Sequence, residues 1–203
     1  MQKIMFDDKY GLTNAVLAGR KTMTRRVCFE VPSDVKVSSC LWTPDDCTLE
    51  LFTNLRPDPI IDVKPRYSIG EKIAIAQRYI DIPMEQLMKQ RTDGKADRWP
   101  FEELVKQSKG YRNKMFVVAC LMPYQIEITN IRVEHLQDIS EEDAKCECTM
   151  FYNFMDKAYE VYGMKGSFAT PIKAFAALID KISGKGTWES NPNVYVYEFK
   201  LIK

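Results

Sequence analysis

Residues 115–136, MFVVACLMPYQIEITNIRVEHL, carry the strongest β signal in the chain and decide the class of fold. The first half is a continuous apolar run, which predicts a buried strand. The second half, YQIEITNIRV, alternates and offers Ile126, Ile128, Ile131 and Val133 to a core. The apolar positions slip from even to odd numbers at Thr129–Asn130, so the spacing predicts a bulge or turn there.

Downstream, DISEEDAKCE opens with a helix-start signature. Ser140 stands as N-cap, Asp143 follows three residues on, and Glu141 and Glu142 fill the first turn, where the helix dipole favours negative charge. PIKAFAALIDKISG predicts a helix from Pro171 that stops at Gly184. The last stretch, NVYVYEFKLI, alternates as a strand with Val194, Val196 and Glu198 on one face.

Upstream, EKIAIAQRYI reads as a buried strand after a turn at Gly70, and CTLELFT alternates well. Pro57, Pro59 and Pro65 interrupt RPDPIIDVKPRYSIGE, so that region reads as irregular. TMTRRVCFEV is β-branched and alternating, hence a strand. Before it, Leu12, Val16 and Leu17 share one side of a helix that Thr13 or Asn14 would cap and Gly19 would end.

Residues 82–113 change character, with Met84, Leu87 and Met88 at helical spacing, and read as a helical insertion lacking enough apolar residues for its own core. A second mainly helical insertion is expected near 150–185. Strands grouped around short helices, without regular βαβ alternation, predict an α+β protein, a single domain over 1–203 built on a small, curved or barrel-like mixed sheet.

The 203 residues, 45% hydrophobic and 28% charged, describe an ordinary globular chain. A net charge of +1 leaves no overall field to hold a polyanion, so any such affinity must come from a local patch. No apolar run reaches the roughly 18 residues of a membrane span, and the N-terminus MQKIMFDDKYG lacks a signal-peptide core, so no membrane association and a cytoplasmic location are expected. Cys146 and Cys148 flank Glu147 and invite a metal reading, but the single histidine, His135, and the absence of four-ligand spacing argue for reduced thiols and no metal or cofactor.

Against that near-neutral background, AGRKTMTRRV (18–27) crowds Arg20, Lys21, Arg25 and Arg26 around two threonines. Such a run is usually a solvated face. Its functional reading is an anion site, with Trp42, Trp99 and above all Trp188 as candidates to stack on bases.

LAGRKTMTRRV, YSIGEKIAI, IEITNIRVEHLQDISEEDAKCE and NPNVYVYEFK, in this order, resemble the ASCH domain family, relatives of the PUA RNA-binding barrel. More narrowly, the chain resembles the longer ASCH proteins common in phage and prophage genomes. The resemblance implies a PUA-like mixed barrel of about five or six strands with flanking helices. It also implies RNA, a nucleotide or a modified nucleoside as partner. Small bacterial ASCH proteins include amidohydrolases that deacetylate N4-acetylcytidine with a Lys, a Thr and a Glu, which fall on Lys21, Thr24 and Glu147 here. Where many phage-type relatives carry a carboxylate after the "vGd" strand, this chain reads IAQ, so Gln77 stands in its place.

The leading expectation is therefore a binding protein that uses Arg20, Lys21, Arg25 and Arg26, with Gln77 and Trp188 as further ligand contacts. The second is an amidohydrolase using Lys21, Thr24 and Glu147, and the third a phage-derived interaction protein without catalysis. Catalysis sets one geometric condition. Residues 21 and 24 face opposite sides of a regular strand, so they converge only if Lys21 lies in the turn after Gly19 and Thr24 in the strand.

Overall fold

The computed structural model describes residues 1–28, 37–43, 48–53, 56–91 and 98–202. The first half runs β1 (Lys3–Ile4), α1 (Leu12–Leu17), β2 (Met23–Val27), β3 (Val37–Thr43), β4 (Thr48–Thr53), β5 (Arg56–Val63) and β6 (Lys72–Ile75). Next come α2 (Met84–Lys89), α3 (Arg98–Gln107), β7 (Gln125–His135) and α4 (Glu141–Glu147). The chain closes with β8 (Met150–Asn153), β9 (Ala158–Val161), α5 (Pro171–Ser183), α6 (Thr187–Ser190) and β10 (Asn193–Ile202).

Five strands form the main sheet in the order β1-β6-β7-β10-β2, mixed because β1 runs parallel to β6 while the other pairs are antiparallel. The fold is thus α+β, with β1 and β2 as the edges. Among the described residues no strand pairing joins these edges into a closed barrel. A side chain crosses instead: Arg26 Nη2 donates to the Met5 carbonyl at 2.8 Å.

The core packs Ile73, Ile75, Ile126, Ile128 and Val196 of the sheet against Val16, Phe175 and Leu178 of the helices. Strand β10 is buried on both faces from Val194 through Tyr197, beyond the one-face alternation expected of it, because it lies centrally with elements packed on either side. The expected bulge is present: Glu198 pairs with Asn130 and Phe199 with Ile128, leaving Thr129 as the extra residue. Ser140 caps α4, its hydroxyl accepting from the Asp143 N–H at 3.0 Å, and α5 spans Pro171 to Ser183 with Gly184 beyond it.

Several local expectations are corrected. The apolar run MFVVACLM is not a strand but two 3₁₀ turns, Lys114–Phe116 and Ala119–Leu121. Side chains satisfy its backbone in place of a ladder: Lys3 Nζ donates to the Met115 and Val117 carbonyls, and the Val118 N–H donates to the Tyr79 hydroxyl. Arg56–Val63 is a strand despite its prolines, because β5 is the edge of a three-stranded meander β3-β4-β5 and needs only one hydrogen-bonding side. Neither Thr13 nor Asn14 caps α1. Gly11 holds that position at φ 66°, and the Thr13 hydroxyl donates to the Phe6 carbonyl and Asp8.

The 82–113 segment holds α2 and α3 and shares a satellite core with β6, where Leu87, Val105 and Met122 pack on Ala74 and Ala76. The 150–185 segment is helical only in its second half. Its first half is the β8–β9 hairpin, whose turn is set by the Asn153 carboxamide accepting from the Met155 N–H at 3.0 Å. No helix of the described residues is long and apolar enough to cross a membrane.

Candidate functional site

The turn that leads into β2 is a Schellman motif. Gly19, at φ +70°, sends its N–H to the Val16 carbonyl, and the Arg20 N–H returns to Ala15. The chain then docks on the end of α4, with the Thr22 N–H on the Cys146 carbonyl. Lys21 accordingly lies in the turn while Thr24 is the second residue of the strand, which is the arrangement convergence requires.

Lys21, Thr24 and Glu147 line one cleft of about 310 Å³, with Phe6, Leu12 and Phe175 among its apolar walls. All three are buried. Lys21 Nζ donates to the carbonyls of Met23 at 2.7 Å and Glu147 at 2.8 Å and stands 3.5 Å from Glu147 Oε2. The Phe6 ring centroid lies 5.8 Å from the same nitrogen. Burial pushes the Lys21 amine down from its ordinary value, and Glu147 pulls it partly back. Two carbonyls take two hydrogens, the number a neutral amine retains, so the deprotonated form is also satisfied there. Among the described residues no group bonds the Thr24 hydroxyl.

Glu147 is anchored from behind. Its carboxylate accepts the Arg25 N–H at 3.1 Å and Arg25 Nη1 at 2.6 Å. The remaining Arg25 nitrogens bond Glu134 and Asp143, which Arg132 also holds while reaching Glu198. Burial works against the Arg25 charge, but Glu147, Asp143 and Glu134 outweigh it and hold its pKa above the ordinary value. Three cations and four carboxylates thus form one network.

This removes Arg25 from the expected anion contacts: its side chain is 1% exposed and committed to internal carboxylates. Arg20 is exposed but lines a different cleft, with Asn14, Phe151 and Tyr162. Gln77 belongs to a third, of about 530 Å³, with Asp8, Asn14 and Asp81, where its Oε1 is buried without a partner among the described residues. Trp188 is half-buried, packs edge-on against Phe175 at 6.2 Å between ring centroids, and is not among the residues lining the Lys21 cleft. Arg26 alone of the three expected arginines reaches the Lys21 cleft with no carboxylate partner among the described residues. The side chains of Trp42 and Trp99 lie outside the described residues. His135 is exposed, its Nδ1 3.3 Å from the Asn191 carbonyl. Cys148 is buried, and burial pushes its thiol up.

Arg132, Glu134, Asp143 and Glu198 went unrecognised in the sequence as partners of the site. One signal was available: a carboxylate at position 198, on a face shared with Val194 and Val196, requires a cation opposite it. Phe6 carried no such signal. No protein-family model, curated protein or solved structure matches the chain.

Proposed function

We propose that this cleft hydrolyses the exocyclic amide of an acylated nucleoside of the N4-acetylcytidine type, on an open PUA-like ASCH fold. The observation that carries this reading is the meeting of Lys21, Thr24 and Glu147 in one cleft, with Lys21 depressed by burial and Glu147 held by Arg25. A site for a polyanion is less well supported there, because Arg25 is internally paired and Arg20 faces elsewhere.

In this mechanism the Thr24 hydroxyl oxygen attacks the acyl carbon and its proton passes to the neutral Lys21 amine. The C–N bond then breaks, and the departing amine takes the proton from Lys21. Water attacks the Thr24 ester, again with Lys21 as base, releasing the carboxylic acid and restoring the hydroxyl. Glu147 positions Lys21, and Arg26 is the cation available to the developing oxyanion. Phe6, Leu12 and Phe175 supply an apolar wall for a flat base.

Purified protein incubated with N4-acetylcytidine should release cytidine and acetate, and Thr24→Val should abolish the release while retaining the fold. No turnover of that compound or of a panel of other acylated nucleosides would refute the reading.

A further inference from the structure

We propose that the tyrosine-lined cleft beside the Lys21 site is an anion subsite that holds the phosphate of a nucleotide substrate. It measures about 260 Å³ and is lined by Arg26, Lys64, Arg66, Tyr67, Tyr195 and Tyr197. Arg26 and Val27 line both clefts, so the two are neighbours. Strand register fixes their relation, since Thr24 and Arg26 of β2 pair with Tyr197 and Tyr195 of β10.

Charge is what distinguishes this cleft. Among the described residues its lining carries three cations and no carboxylate, and none of the three forms a salt bridge. All three residues are exposed. Arg26 is steadied by the Met5 carbonyl, and the Arg66 guanidinium lies 5.5 Å from the Tyr67 ring centroid, but neither contact neutralises charge.

The tyrosines add a directed donor. The Tyr197 hydroxyl accepts the Arg66 N–H at 3.0 Å, and among the described residues its own proton has no acceptor. Burial pushes that phenol up to about 12, so at neutral pH it keeps a proton with which to donate. Tyr67 stands edge-on to the Tyr197 ring at 5.3 Å between centroids and bonds the Lys3 carbonyl, which holds the wall in place.

Three cations and a phenol lining one cleft suit a compact anion with several acceptor oxygens and more than one charge, which describes a phosphate better than a carboxylate. The identity of the attached group rests on the acyl-nucleoside reading above, whereas the subsite itself does not. Two sources share this chemistry, the terminal phosphate of a mononucleotide and the internal phosphate of an RNA strand.

Calorimetric titration of the full chain separates them, using cytidine, cytidine 5′-monophosphate, cytidine 3′-monophosphate and a short cytidine-containing oligoribonucleotide. The expected result is that a phosphorylated probe binds at least about tenfold more tightly than cytidine, by an amount that shrinks as salt rises. The double variant Lys64→Ala/Arg66→Ala should bring that ratio to about one, with a melting curve to confirm folding. Tighter binding of a monophosphate than of the oligomer assigns the free nucleotide, and the reverse assigns RNA. Absence of any preference for a phosphorylated probe, or a preference that the double variant leaves intact, overturns the proposal. Because binding is read without turnover, a phosphate preference in a protein that deacylates nothing refutes only the hydrolase. Turnover of N4-acetylcytidine without a phosphate preference refutes only the subsite.

Discussion

Lys21, Arg25 and Arg132 face four carboxylates, whereas Arg26, Lys64 and Arg66 face none among the described residues. The two groups meet at neighbouring residues of one strand, Arg25 and Arg26. Strand alternation sends the first inward and the second out to the cleft edge. A desolvated cation is tolerable only when paired, so Lys21 and Arg25 carry their own counter-charges, and the half-buried Arg132 ties those carboxylates together. A solvated cation has no such requirement, so the outer group retains its capacity to bind. Burial, and not residue type, separates structural charge from available charge.

The largest expected effect tests the inner group. Arg25→Ala leaves Glu147, Glu134 and Asp143 short of a partner and should cost about 3–5 kcal/mol of stability in urea denaturation. Arg26→Ala should cost at most about 0.5 kcal/mol. Equal losses would erase the contrast between the two arginines.

Next in size is Lys21→Arg, which fixes a positive charge at that position and removes the proton acceptor. Turnover of N4-acetylcytidine should fall about 100-fold or more, with an unchanged circular dichroism spectrum. The pH dependence follows from the direction of the Lys21 shift. Its folded value is lowered, so between that value and 10.5 the unfolded chain binds more protons than the folded one, and Lys21 contributes stability that rises with pH across this window. Lys21→Met should flatten that rise in denaturation curves taken across the window. Activity in the wild type should climb with pH along a limb lying below the ordinary amine value.

Gly19→Ala should cost about 1 kcal/mol, read as a lower urea midpoint, because φ is +70° there while an added Cβ meets nothing within 4 Å. The smallest effect is expected from Arg20→Ala. Lining another cleft, it should leave binding of cytidine monophosphate within about twofold of wild type, and a larger change would place Arg20 in the outer cationic group.

Signals confined to a few residues were legible in the sequence. The Ser140 cap, the Pro171–Gly184 limits of α5, the bulge at Thr129 and the helix end at Gly19 all rest on local backbone geometry. Readings that needed a neighbour were not legible. An apolar run at 115–122 resembles a buried strand until Lys3 and Tyr79 are seen to satisfy its carbonyls and amides. The hairpin at 150–161 was hidden because a short apolar segment fits either period. Strand β5 was hidden because prolines exclude a central position but not an edge.

The same division holds at the site. By itself the sequence determined the α+β class and the turn that frees Lys21 from the strand's alternation, while the candidacy of Lys21, Thr24 and Glu147 rested on a family resemblance. Only the tertiary structure decided that Lys21 Nζ meets the carbonyl of Glu147, 126 residues away, that Arg25 is bound internally, and that Arg26 joins Lys64 and Arg66 in a second cleft. The reason is physical: local geometry is set by each residue and its chain neighbours, whereas a charge's role depends on desolvation and on which opposite charges packing brings within reach.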